Sequence, residues 1–344
     1  MVVLPSSPSR HFLLLLLFCL HISLLYGKES SSSSFKALLK SSLFKSSSIQ
    51  SLRQELFPVN NIPKRPIFGL ISSSAYKAKD IVIEIPTASA LTAKLLTPSS
   101  ISISSEAKLA VELVLEKRKA KEESSLFEAY ISLLPRAAAD INTPYFWSDA
   151  DLEALSYPPM RKSVLSQRSR WTAELEALQT SPLRKDLQTP ITKEEFEWAM
   201  VCVTSRAFSG LLGAEESRSR LRLLTQSSIA SFLLALITAL ATHNELFSGS
   251  LGTLGVGLIL FSQFLSSSDS SSSTVLLPMI DSCNHSGKAP RASLSLEPVS
   301  NNFVVRALQD LQPGEEITLS YGNKHNDDLL QYFGFVEEDN PFDR

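Results

Sequence analysis

Cysteine is scarce, with three in 344 residues, Cys19, Cys202 and Cys283. They lie far apart and without paired spacing, so neither a disulfide framework nor a zinc site follows, and no metal ligands are assigned. Net charge is nearly absent too, at −2 from 33 basic and 35 acidic side chains. No basic patch with interleaved aromatics is present, which argues against a nucleic-acid partner. The densest basic run, Lys117-Arg118-Lys119 with Lys121, alternates with Glu112, Glu116, Glu122 and Glu123, as on an exposed helix face. The apolar stretches at 12–25, 229–242 and 251–265 are all shorter than the roughly 20 residues that span a bilayer. What the chain does have is 44% hydrophobic residues, enough to bury one large or two modest cores.

Taken in order, the chain opens with Arg10-His11 ahead of an apolar run from Phe12 to Leu25, the layout of a signal-peptide core. Lys28 to Arg53 follows, rich in Ser and Lys and poor in acids, which is transit-peptide composition. Together they read as a bipartite plastid address; the simpler alternative is a secretory signal with a Ser-rich linker. Residues 1–55 are expected to lie outside the fold, with a mature start near residue 50. Residues 106–134 read as one helix, apolar at three- and four-residue steps and ended by Pro135. Ser148 caps a helix from Asp149, a charged helical piece spans 163–178, and Thr192 with Glu195 forms a capping box before the helix carrying Arg206. An apolar insertion occupies about 210–274. Its 229–265 portion reads as a helical hairpin packed on the domain, a membrane-contacting segment or a retained intron.

The stretch from Pro278 to Gly322 is the most informative. It reads Pro-Met-Ile-Asp-Ser-Cys-Asn-His-Ser, then two alternating runs, Ala292 to Glu297 and Asn302 to Leu308, joined by a turn. Pro313-Gly314 turns the chain into a third strand, Glu316 to Tyr321. With Asp281 before Asn284-His285 and Leu329-Leu330-Gln331-Tyr332-Phe333-Gly334-Phe335-Val336 behind, this resembles the SET-domain protein methyltransferases. The branch it resembles is typified by the Rubisco large-subunit lysine methyltransferase. Asp80 to Pro86, Tyr130 to Pro135 with Phe146-Trp147-Ser148, and Phe196 to Ala199 with Ser205 to Phe208 also look like that branch. The resemblance covers most of residues 65–340.

It implies an α+β protein: a SET domain over 56–340 made of small β-sheets, with a knot-like crossing near Asn284 and a largely helical insert over about 91–195. The chain stops at Arg344, so the branch's separate helical substrate-binding domain is expected to be absent. The implied activity is methyl transfer from S-adenosyl-L-methionine to a protein substrate, at a lysine ε-amine or, as in some members, an imidazole. The resemblance makes Tyr321 the catalytic hydroxyl. It makes Phe68, Gly69, Leu70, Arg206, Asp281, Asn284 and His285 the cofactor contacts, and Phe333 and Phe335 the walls of the substrate channel. Two departures stand out. Ile67-Phe68-Gly69-Leu70 keeps one glycine where the family's cofactor loop has two, and Phe333 stands where Tyr is usual. The first, with the missing C-terminal domain, motivates the alternative of a catalytically silent SET module that binds a partner, and the apolar insertion motivates a membrane-associated scaffold.

Overall fold

The computed structural model describes residues 35–40, 52–57, 67–93, 103–122, 125–137, 140–181, 189–210, 274–297 and 300–343. Among these described residues four small sheets carry the architecture. β1 (Leu52–Phe57) and β2 (Ile67–Ser72) pair antiparallel. β3 (Ile81–Pro86), β8 (Ala292–Glu297) and β9 (Asn302–Ala307) form a three-stranded sheet with β9 central. Phe303, Val304 and Val305 of β9 are all buried, as a strand covered on both faces requires. The β8–β9 hairpin turns through Asn301 at φ 54°, a left-handed conformation that Asn tolerates. β4 (Leu91–Thr92), β5 (Phe208–Ser209) and β6 (Thr274–Leu276) form the third sheet, with β6 central. β7 (Asn284–His285) and β10 (Thr318–Leu319) make a parallel pair.

The helices lie mostly between β4 and β5. After α1 (35–40), α2 (Ser105–Lys121) starts at Ser104, whose hydroxyl accepts from the Ala107 amide. α3 (Glu128–Ile131), α4 (Asp149–Ala154), α5 (Pro158–Thr180) and α6 (Lys193–Arg206) follow. Capping boxes open α4 at Ser148 and Asp151 and α6 at Thr192 and Glu195. Arg118 grips Glu195 with two hydrogen bonds, tying α2 to the start of α6. Trp198 donates from its indole to the Pro135 carbonyl at 2.7 Å and carries Lys117 over its ring. One core cluster joins helices and sheets, including Leu109, Leu113, Trp171, Phe196, Val275 and Phe303.

Three expectations need correction. The helix read over 106–134 is two helices, α2 and α3, separated by an interruption. Ser125 there takes the Phe127 amide on its hydroxyl and donates to Glu116, offering the chain local bonds in place of helical ones. The strand read over Glu316 to Tyr321 is regular at Thr318–Leu319 alone, because the segment changes partner: Glu316 bridges Ile71, and the next residues pair with β7. The expected boundary near residue 55 falls inside β1, and Phe35 and Leu38 of α1 belong to the core. Among the described residues no helix is long and apolar enough to cross a membrane. The signal-like run at 12–25 and the apolar 229–265 lie outside the described residues.

Candidate functional site

The site is organised by the segment that follows β6. Met279 is fully buried at φ 77°, an uncommon conformation for a side chain of its size. A 3-10 turn over Ile280–Ser282 then leads into β7. The parallel pairing with β10 is extended by the Ser286 amide, which donates to the Leu319 carbonyl. This arrangement brings Tyr321 onto the segment. Its backbone N–H donates to His285 Nδ1 at 3.0 Å, and its hydroxyl donates to the Cys283 carbonyl at 2.8 Å. Burial raises the Tyr321 pKa well above the usual phenol range, so the hydroxyl keeps its proton.

Aromatic rings cluster with the Tyr321 ring. The Tyr321 ring lies 4.9 Å from His285 and 5.0 Å from Phe333, and Phe335 stands 6.1 Å from His285. Phe333 ends a π-helical stretch over Leu329–Phe333, and Gly334 follows at φ 78°. A Cβ on Gly334 would meet the Asn142 carbonyl oxygen at 2.7 Å, so the turn that presents Phe333 and Phe335 requires glycine.

Opposite charges meet at the end of α6. Arg206 Nη1 lies 3.6 Å from Asp281 Oδ2 and 3.3 Å from the Asp281 carbonyl oxygen, and the Tyr130 hydroxyl donates to Oδ2 at 2.7 Å. Burial raises the Asp281 pKa, opposed by Arg206 and Tyr130. Burial pulls Arg206 down, but Asp281, Tyr130 and Cys202 more than offset it. Arg206 Nε and Asp281 Oδ1 are buried without a hydrogen-bond partner. Both residues line a cavity of about 840 Å³, together with Tyr321, Gly322, Tyr332 and Phe333.

Asn284, His285 and Phe68 to Leu70, also singled out from the sequence, are not among the residues that line that cavity. Asn284 donates its amide to Glu316 at 2.6 Å, and burial raises the Glu316 pKa against that bond. Phe68, Gly69 and Leu70 lie in β2, not in a loop: Gly69 pairs with Glu55, and the Leu70 carbonyl accepts from the Ile317 amide. The Lys64 to Pro66 part of the expected loop lies outside the described residues. β2 packs against β7, so Leu70 and His285 belong to one neighbourhood. Sequence reasoning missed Tyr130, Glu316 and Glu337 as partners of the site. The Gly-Glu-Glu run before the third strand carried a signal for Glu316, whereas nothing local marks the other two. Among the described residues no three His, Cys, Asp or Glu side chains group closely enough to hold a metal ion.

Chemically, a tyrosine hydroxyl whose proton is committed to a carbonyl keeps its lone pairs for an incoming N–H or a polarised C–H. The Arg206–Asp281 pair, with a free donor and a free acceptor, suits a ligand carrying both a carboxylate and an ammonium group.

Comparison with known proteins gives these residues a context. The family model for the SET domain matches residues 68–322. The chloroplastic ribulose-1,5 bisphosphate carboxylase/oxygenase large subunit N-methyltransferase of Pisum sativum is 26% identical over 149 residues, 42% of this chain and 30% of that protein. The chloroplastic fructose-bisphosphate aldolase-lysine N-methyltransferase of Arabidopsis thaliana is 30% identical over 151 residues, again 42% and 30%. A ribosomal lysine N-methyltransferase of Schizosaccharomyces pombe is 37% identical over 90 residues, 24% of this chain and 15% of that protein. The chain thus spans less than a third of these curated relatives. Among solved structures, the SET domain of LSMT bound to lysine and AdoHcy superposes with a TM-score of 0.58 at 16% identity, covering 90% of this chain and 58% of the other. Rubisco LSMT bound to AdoMet gives 0.57 at 17% identity, covering 90% and 57%. At these identities the superpositions establish the fold.

Proposed function

The chain belongs to the SET-domain family, and from that premise we propose that it transfers a methyl group from S-adenosyl-L-methionine to the ε-amine of a lysine in a protein substrate. The observation that carries this reading is the Tyr321 hydroxyl, anchored on the Cys283 carbonyl at the edge of a cavity whose wall holds the half-satisfied Arg206–Asp281 pair. Those free polar atoms fit the amino-acid end of the cofactor. Arg206 would hold its carboxylate and Asp281 its ammonium, with Asn284, His285 and the β2 backbone at Phe68 to Leu70 around the rest. When bound, S-adenosylmethionine supplies an electrophilic methyl group on a sulfonium. There the amine nitrogen would take the methyl group, the electron pair of the broken C–S bond remaining on sulfur.

This chain's residues prepare the amine. A lysine in water has a pKa of about 10.4, and an apolar aromatic channel beside a cation lowers it, favouring the neutral nucleophile. Phe333 and Phe335 supply that channel wall, and Tyr321 orients the amine, which needs alignment more than a strong base. The silent-module reading is weaker. Ile67, at the position of the missing glycine, belongs to a strand paired with Phe57, where a non-glycine backbone serves.

Calorimetry with S-adenosylmethionine, followed by intact-mass spectrometry of candidate proteins after incubation, tests the proposal. Micromolar binding and a mass gain of one CH₂ localised to a lysine are expected. No heat at high cofactor concentration would count against it. For location we propose the plastid, supported by the acid-poor composition of 28–53 and by the chloroplastic names of the pea and Arabidopsis relatives. A fluorescent fusion to residues 1–55 whose final location is outside the plastid would refute this.

A further inference from the structure

The third polar feature of the site lies behind it. Glu337 follows Phe335 in the C-terminal stretch, and the Asn326 side chain clamps its backbone. Asn326 Oδ1 accepts from the Glu337 amide at 3.0 Å, and Asn326 Nδ2 donates to the Glu337 carbonyl at 3.2 Å. So held, the Glu337 side chain reaches back to β7. Its Oε1 accepts from the Gly287 amide at 2.9 Å, and its Oε2 lies 3.5 Å from His285 Nε2. The His285 side chain is 1% exposed, and Nε2 and Oε2 are both buried with no hydrogen-bond partner. A Cβ on Gly287 would meet Oε2 at 2.5 Å, so a side chain there would displace the carboxylate.

The other imidazole nitrogen determines what Nε2 must be. Nδ1 accepts the Tyr321 backbone N–H, so in the neutral ring the proton sits on Nε2. An Nε2–H buried beside an acceptor-only carboxylate oxygen is the complementary arrangement. The opposite tautomer would set Nδ1–H against the Tyr321 N–H, two donors facing each other, and push Tyr321 away from the Cys283 carbonyl. We infer that Glu337 is a positioning residue: it holds the His285 tautomer that keeps the Tyr321 backbone, and through it the Tyr321 hydroxyl, in place. The inference rests on the methyl-transfer reading only for what Tyr321 then does. Burial, the largest influence, and Lys324 oppose the charged imidazole, while Glu337 and the Leu319 backbone favour it; Tyr321 faces the ring with its own ring and amide.

The test uses the full chain labelled with ¹⁵N-histidine, the His285 signals being assigned by their loss in His285→Gln. In the parent, the ring nitrogen shifts should report the Nε2–H tautomer. In Glu337→Ala and Glu337→Gln the carboxylate that favours the imidazolium is gone, so His285 should titrate at lower pH and its tautomers should mix. Single-turnover methyl transfer should slow at least tenfold, while S-adenosylmethionine affinity changes less than threefold. Glu337→Asp should recover part of both effects, which separates positioning from a loss of folding. The inference is overturned if tautomer, titration and rate all match the parent in the two charge-free variants. Because the NMR readout needs no substrate, a tautomer change in a protein that transfers no methyl group would uphold the role of Glu337 and sink the proposed activity alone.

Discussion

Tyr321 commits its hydroxyl hydrogen to the Cys283 carbonyl and its backbone hydrogen to His285. Of these two bonds, Tyr321→Phe removes the first and leaves the second. If the hydroxyl acts on the amine chiefly at the transition state, the variant loses rate and not cofactor binding. We expect a fall of at least tenfold in single-turnover rate, about 1.4 kcal/mol, with the rise in melting temperature on adding S-adenosylmethionine preserved. A parent-like rate would remove Tyr321 from the chemistry. Glu316 supports a pH experiment. Burial raises its folded pKa above the ordinary 4.5, so the protonated form is the one favoured in the folded state. Its contribution to stability is present at low pH and lost as pH rises through the folded pKa. Glu316→Gln keeps an acceptor for Asn284 and does not ionise. The melting temperature of the variant relative to the parent should therefore climb from pH 4 to pH 7, and a flat difference would contradict the assignment.

At the scale of elements, α6 carries two separable functions. Its N-terminus is fastened by the Thr192–Glu195 box and by Arg118, while its C-terminus delivers Arg206 to Asp281. Thr192→Ala should cost about 1 kcal/mol of stability, the usual value of a lost N-cap, and leave cofactor affinity unchanged, as calorimetry and thermal melts together would reveal. The Ser148 cap and the Thr192–Glu195 box were legible in the sequence because their partners lie three positions apart, and the β8–β9 hairpin because alternation and turn chemistry are local. The split of α2 from α3 was not, since the Ser125 bonds that interrupt the helix compete with a favourable apolar spacing. The strand read over Glu316 to Tyr321 was misjudged in extent because Glu316 answers to Ile71 and Thr318–Leu319 to β7, neighbours that lie far away in sequence. The same distance hid Tyr130, which meets Asp281 across 151 positions.

For the whole molecule, the N-terminal stretch is the point at which composition and packing disagree. Ser- and Lys-rich sequence suggested removal up to about residue 50, yet Phe35 and Leu38 are buried in the common core and β1 pairs with β2. Burying side chains of this kind stabilises by about 1.5–3 kcal/mol each. A chain beginning at residue 51 should therefore melt several degrees below one beginning at residue 34, and N-terminal sequencing of the protein from its native cells should find a start before Phe35. Equal melting temperatures would show that α1 adds nothing to the fold.

The parallel meeting of β7 and β10 also dictates an order of events. Ribosomes release a chain from its N-terminus, and the Asn284–His285 arm emerges before the strand, the tyrosine and the carboxylate that clasp it. Until 316–337 has cleared the exit tunnel, the buried groups of 277–287 have neither Leu319 nor Glu337 to bond. Contacts between such distant segments form slowly. Until those contacts form, the 277–287 arm lacks the partners that hold it in the folded protein. On the proposed activity, a site built this way is complete only once β10 has docked on β7.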